Sequence, residues 1–459
     1  MAAEKQRALR VVMFPWLAYG HMTPFLELAK RLTAHGLKIF FVSTPLNIQR
    51  IKPQMWDAPG IDLVGLAMPS VEGLPAGVES TADCIGKEGG GGGLIPLLVQ
   101  ALDLLEKPFE ALLRHLSPDF VVHDFVQYWV PRVASKLSIP IPTILFLALG
   151  AASISFAEGQ FARGMENPSA EELTVAPPGF PSSIVGRRLF EARKVVALYR
   201  KQGEGISFRE RGSICGRESW AVACNTCMEL EGIYVEYLQA VTRRPVVPVG
   251  FLMPKLSPPP DDDICLQWLD RQPAASVVLV SFGSECTLTV DEIAAMAMGL
   301  QESGASFLWI LPAGNSLPQG FQDQIGEKGL LVTKWVPQLH ILNHPSTGAF
   351  LTHCGWNSIT EGLRFGVPFI ALPMQFEQGL NARRAQELNV GVEVRRNEDN
   401  GSFKKDDINK AIKDIMVEGG GVKIKYNVKK ISNMLTDHNL QVSQRNIGNF
   451  VSMLRKFNK

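Results

Sequence analysis

The chain is nearly uncharged overall: 46 Lys and Arg stand against 45 Asp and Glu, a net of +1. That balance removes the electrostatic case for nucleic acid or an anionic membrane as a partner. No apolar run is long enough to span a bilayer. The longest, near 139–156, is strand-like and broken by small polar residues. The first residues, MAAEKQRALR, are charged and contain no apolar stretch of signal-peptide length, so a cytoplasmic protein is expected. Cysteines number seven, an odd count scattered through apolar surroundings, as suits reduced thiols. The pair Cys224 and Cys227 has no second ligand pair for zinc, and it follows a strand where a redox motif would open a helix. The glycine run between Lys87 and Leu94 lacks the Lys-Ser/Thr of a phosphate loop and reads as a mobile loop. A G-x-S-x-G hydrolase elbow is also missing.

What is present is apolar and periodic. A hydrophobic fraction of 46% with 20% charged residues describes a globular protein with large cores. Its 459 residues suggest two domains of about 200 residues each. Leu9 to Phe14 is a continuous apolar run, as in a strand buried on both faces. Thr23 and Pro24 then suit a helix start, with Phe25, Leu26, Leu28, Ala29 and Leu32 on one face and Gly36 at the end. Further strands are expected at 38–43, 61–66, 120–123 and 143–148. The region 158–212 reads as irregular and charged. The Pro-rich stretch 246–262 reads as a linker, and a second alternating series follows it. The fold class is therefore α/β, with two doubly wound Rossmann-like domains facing a cleft. The expected division is 1–245, 246–262 and 263–440, with a C-terminal helix at 441–459 packing back on the N-terminal domain.

Ligands in such sheets bind beyond the carboxyl ends of the strands. Thr352-His353-Cys354-Gly355-Trp356-Asn357-Ser358 sits at one such end. Gly355 permits a tight turn, and a helix opening at Asn357 or Ser358 presents free N–H groups that suit a diphosphate. His353 and Ser284 can donate to phosphate oxygens. Trp335 is an aromatic plate for a base, and Gln338 carries both the donor and the acceptor that a base edge requires. Glu361, one turn into the helix, suits a ribose diol. Any one of these alone is more often core or surface than ligand; their order and spacing together carry the reading.

The 44 residues from Trp335 to Gln378, WVPQLHILNHPSTGAFLTHCGWNSITEGLRFGVPFIALPMQFEQ, resemble the donor signature of plant family 1 UDP-glycosyltransferases in register throughout. The likeness extends over nearly the whole chain, including MFPWLAYGHMTPFLELAKRL. Its N-terminal segments look most like the branch-forming group, which adds a sugar to a sugar already on a small-molecule glycoside. The resemblance implies the two-domain architecture named GT-B. It assigns Trp335 to uracil, with Val336 beside it, and Gln338 to the uridine. Ser284, His353, Asn357 and Ser358 go to the diphosphate, with Gly355 at the turn, and Glu361 to ribose. Trp356, Glu377 and Gln378 go to the donor sugar. A terminal Gln with Trp356 is the pattern associated with glucose. Glu377 stands where many relatives have Asp, which leaves rhamnose and xylose open as donors.

His21 follows the first strand and Asp124 ends the strand at 120–123, so a doubly wound sheet brings both to one edge. A sugar hydroxyl needs its proton removed, and neutral imidazole suits that task near pH 7. A carboxylate on the far ring nitrogen fixes the tautomer and stabilises the imidazolium, and the resembling family uses such a dyad at these positions. His123 should point to the opposite face. Phe14, Phe125, Phe146 and Phe156, with Met13, are candidates for an acceptor pocket, with core packing the competing reading. The expected reaction needs no metal and no cofactor: UDP-glucose meets a glycoside or aglycone acceptor on a monomer, with inversion. A UDP-sugar epimerase and a non-catalytic nucleotide-sugar sensor are the competing classes.

Overall fold

The computed structural model describes residues 7–55, 59–84, 90–164, 167–201, 205–283, 285–311, 317–417, 421–437 and 439–458. Two parallel sheets organise them. The first contains β1 (Arg10–Phe14), β2 (Lys38–Ser43), β3 (Ile61–Gly65), β4 (Phe120–His123), β5 (Thr143–Leu147), β6 (Ala221–Cys224) and β7 (Val246–Pro248). Its order is β3-β2-β1-β4-β5-β6-β7. The second contains β8 (Val277–Ser281), β9 (Ser306–Ile310), β10 (Gly329–Val332), β11 (Thr347–Thr352), β12 (Phe369–Ala371) and β13 (Gly391–Glu393), in the order β10-β9-β8-β11-β12-β13. Each sheet thus reverses direction once, between β1 and β4 and between β8 and β11. These switch points open crevices at the strand carboxyl ends, where Phe14 pairs with His123 and Ser281 with Thr352.

The continuous apolar strands follow from burial on both faces. In β1, Val11 and Met13 enter one core layer while Val12 and Phe14 enter the other. In β8, Val277 and Leu279 separate from Val278 and Val280 in the same way. The period-two alternation of a strand makes this division, and an apolar residue at every position satisfies it.

Several boundaries differ from those read off the sequence. Val246–Pro248 is the seventh strand of the first sheet, so the stretch between the sheets begins after it. The helix after β1 starts at Tyr19, four residues before Thr23, and encloses Pro24. Position 24 then withholds an N–H from the carbonyl of Gly20. Part of the glycine run lies outside the described residues. From Gly90 onward it opens the helix Gly90–Asp103, in which Leu94, Leu98, Val99 and Leu102 bury a stripe that offsets the glycines' entropy. The charged region 158–212 contains the helices Leu189–Val195 and Phe208–Glu218. The helix Asn439–Phe457 crosses back to the first domain: Ile447, Phe450, Val451 and Leu454 join its core, and Phe457 lies 4.3 Å from Trp220. Cys224 ends β6 and Cys227 precedes the helix Met228–Thr242; burial pushes both thiols up, Cys227 to about 12. Among the described residues no helix is long and apolar enough to cross a membrane.

Candidate active site

The early start of the first helix puts His21 in its opening turn, not in the preceding loop. Its Nδ1 lies 2.8 Å from Asp124 Oδ2. Asp124 is fully buried, and two main-chain groups aim it: Trp16 N donates to Oδ2 at 3.1 Å and Phe125 N to Oδ1 at 2.8 Å. A carboxylate with both oxygens engaged cannot swing away, so Nδ1 keeps its proton toward Asp124 and Nε2 is left as the basic nitrogen. The His21 side chain is 18% exposed. Burial works against its charged form. Asp124, by charge and hydrogen bond, with Glu285 and Glu377 farther off, more than offsets this and holds the imidazole above its ordinary 6.5. His123 points away from the site: Nδ1 donates to the Asp124 carbonyl at 2.9 Å and Nε2 accepts from Ser219 Oγ at 2.9 Å. Burial lowers it to about 4 and keeps it neutral.

Facing this pair is the helix Trp356–Phe365, which begins at Gly355 with no side chain capping its first N–H groups. Those groups are left open at the crevice after β11, an arrangement that suits an anion. Cys354 bends the entry at φ 64°, and Asn381 Nδ2 holds its carbonyl at 3.0 Å. His353 stands between two glycines. A Cβ at Gly283 would come within 3.1 Å of its ring, and one at Gly355 within 2.7 Å of Nε2. Burial lowers His353 to about 4 against a hydrogen bond to the Ser281 main chain, so it is a neutral donor there. Ser358 is buried. Asn357 reaches across the cleft and donates from Nδ2 to the Gly20 carbonyl at 3.1 Å, the group that Pro24 leaves without its helical partner. Ser284 lies outside the described residues.

Farther along the cleft, Trp335 is 87% exposed and offers an uncovered indole face. Val336 is buried in the core beside it, and its carbonyl accepts from Gln338 N at 2.9 Å. Ser281 Oγ donates to Gln338 Oε1 at 3.0 Å, and Gln338 Nε2 donates to Glu361 Oε2 at 2.7 Å. Burial raises the Glu361 carboxyl to about 7 despite Gln338 and Arg364. At the opposite end, Glu377 precedes the helix Gln378–Glu387. Burial also raises its carboxyl, against its own main-chain N–H and the His21 and Arg187 cations. Gln378 Oε1 accepts from the main-chain N of Met374 at 3.0 Å and of Gln375 at 2.9 Å.

Three of the expected pocket residues are core, and Trp356 can meet a ligand only through its main chain. Trp356 presents no side-chain face to a sugar: its indole is buried between the domains, donates from Nε1 to the Asn225 carbonyl at 2.7 Å, and presses on Gly150, where a Cβ would sit 2.7 Å away. What it offers a ligand is its main-chain N–H. Phe14 is fully buried and stacks on Phe109 at 5.1 Å; Phe146 packs edge-on to Phe25 at 4.8 Å; Phe156 meets Phe180 at 5.2 Å. All three are core residues, because strands and helices buried on both sides leave no face for a ligand, and Met13 is buried with them. Phe125 alone of the expected phenylalanines borders the site, its ring 5.8 Å from that of His21.

Other residues at the site had no sequence signal of their own. Glu285 accepts from Thr81 Oγ1 at 2.6 Å across the cleft; its place beside Ser284 was the available hint. Asn225 lies inside the Cys224–Cys227 pair; its main-chain carbonyl takes the Trp356 indole across the domains, and its Oδ1 accepts from Leu252 N at 2.9 Å within the first. Among the described residues no His, Cys, Asp or Glu cluster is gathered as a metal ion would require.

Residues 242–447 match the family model described as UDP-glucoronosyl and UDP-glucosyl transferase. Among curated proteins, the chain is 34% identical to anthocyanidin-3-O-glucoside rhamnosyltransferase of Petunia hybrida, covering 97% of this chain and 96% of that one. It is 37% identical to cyanidin-3-O-glucoside 2-O-glucuronosyltransferase of Bellis perennis, covering 94% and 93%. Among solved structures, a UDP-glucose: anthocyanidin 3-O-glucosyltransferase in complex with UDP superposes with a TM-score of 0.80 at 25% identity, covering 98% of this chain and all of that one.

Proposed function

The chain belongs to this plant UDP-glycosyltransferase family, and we propose that it moves glucose from UDP-glucose to a hydroxyl on the sugar of a small plant glycoside, flavonoid or terpenoid, with inversion. Family membership makes it a UDP-sugar-dependent transferase, which removes the epimerase and sensor readings. The acceptor class is supported by the names of two relatives, one given for anthocyanidin-3-O-glucoside and the other for cyanidin-3-O-glucoside. Their donors, rhamnose and glucuronic acid by name, keep a non-glucose donor as the alternative, alongside transfer to an aglycone. A cytoplasmic monomer belongs to the same proposal.

The observation that carries the reading is the meeting of two switch points. The His21–Asp124 pair of one sheet faces the uncapped helix start at Trp356 of the other, with Asn357 and Gly20 joined between them. In the proposed reaction His21 Nε2 removes the acceptor hydroxyl proton as that oxygen bonds to the anomeric carbon. The bond from that carbon to the diphosphate oxygen breaks on the opposite side. Charge gathers on the departing UDP, where the helix N–H groups are placed to stabilise it. Asp124 holds the imidazolium until its proton leaves to water. Mass spectrometry of reactions pairing several UDP-sugars with flavonoid and terpenoid aglycones and their monoglucosides tests this. Products only from aglycones overturn the sugar-on-sugar reading.

A further inference from the structure

The sugar-facing residues Glu377 and Gln378 lie on a segment, 373–379, with no regular structure until the helix at Gln378. Such a segment keeps its shape only through the groups that hold it. Some of these belong to the second domain: Gln378 Oε1 ties the Met374 and Gln375 N–H groups, and Arg396 donates to the Pro373 carbonyl. The others come from the short helix Leu189–Val195, in the charged stretch before β6 and therefore from the N-terminal half of the chain.

That helix sits on the second domain like a strap. Lys194 Nζ donates to the Met374 carbonyl at 3.0 Å. Glu191 is 9% exposed and pairs through Oε2 with Arg383, which also donates to the Gly186 carbonyl at 2.7 Å. The other oxygen of Glu191 is buried with no hydrogen-bond partner, and it lies against Gly379, so any side chain at 379 would run into it. An anion at the first turn of the helix Gln378–Glu387 is favoured by the helix dipole. Phe190 packs under the Arg396 guanidinium, 5.0 Å from ring centre to carbon, so the second holder of the segment is itself braced by the strap.

We propose that Glu191 and Lys194 are positioning residues for the donor sugar: from the N-terminal half, they hold the 373–379 segment in the shape in which Glu377 and Gln378 read sugar hydroxyls. Sugar recognition is thus completed by a part of the chain outside the UDP-binding domain. This rests on the placement of Glu377 and Gln378 at the sugar. The uridine and diphosphate contacts lie on other segments, so loss of the brace weakens the sugar's contribution and spares that of UDP.

Calorimetric titration of the full chain with UDP and with UDP-glucose tests this, using Lys194→Met, Lys194→Arg and Glu191→Gln. For Lys194→Met and Glu191→Gln, UDP-glucose should bind about tenfold more weakly, the scale of one charge-assisted hydrogen bond, with UDP changed less than about twofold. Lys194→Arg should keep wild-type values. Equal weakening of UDP and UDP-glucose, or no change in either, overturns the proposal. Lys194 is exposed where Glu191 is buried, so its variants remain testable where Glu191→Gln fails to fold. A wild type that gains nothing from the sugar removes the donor-site reading and this proposal together. A wild type that gains from it, with variants that gain as much, overturns this proposal alone.

Discussion

At the residue scale the decisive fact is how Asp124 is held. Its two oxygens take three hydrogen bonds, from Trp16 N, Phe125 N and His21, and it has no exposed surface. His21→Ala should abolish transfer in a product assay while leaving UDP affinity within about twofold, because in the proposed reaction the base meets the acceptor and not the nucleotide. The raised pKa of His21 has a definite sign in the pH profile. The base works only when neutral, so kcat/KM must fall as pH drops through a value above 6.5. Glu285 is one of the anions that raise it. Glu285→Gln should therefore move the acidic limb to lower pH, and a profile measured in both proteins checks the direction. His21 and Trp335 were legible because the surrounding motif names them. Glu285 was not, since its effect on His21 arises only when two distant loops meet.

At the scale of elements, the two helix starts define the cleft. One carries His21 in its first turn, and the other presents uncapped N–H groups from Gly355 onward. Reading Thr23 as a cap placed the first helix five residues late. The pattern Thr-Pro is a good start signal, but Tyr19 onward already has helical geometry, and the bond lost at Pro24 leaves the Gly20 carbonyl for Asn357. Gly355 is needed for space more than for its backbone angles, whose φ is −57°. Gly355→Ala would place a Cβ 2.7 Å from His353 Nε2. Pushing that ring toward the diphosphate site should cost about 1–3 kcal/mol in stability and weaken UDP binding, read by thermal unfolding and calorimetry.

At the scale of the whole molecule, the last helix and the 189–195 strap both cross the domain division in sequence. The last helix returns to the first domain, where Leu454 is fully buried. Leu454→Ala should destabilise the protein by about 2–5 kcal/mol, the usual cost of emptying a core leucine site, and chemical denaturation checks this. The two parallel sheets, the nucleotide-sugar chemistry and the dyad could be read from residue order alone. Continuous apolar strands, a helix N-terminus after β11 and a motif in register are local patterns, and local sequence determines them. Only the tertiary structure decided that Phe14, Phe146 and Phe156 are core, that Trp356 is buried between the domains and that a charged stretch of the N-terminal half packs on the 373–379 segment. Each of those depends on which surface meets which across the cleft, and a buried aromatic and a pocket-lining one look the same until that packing is formed.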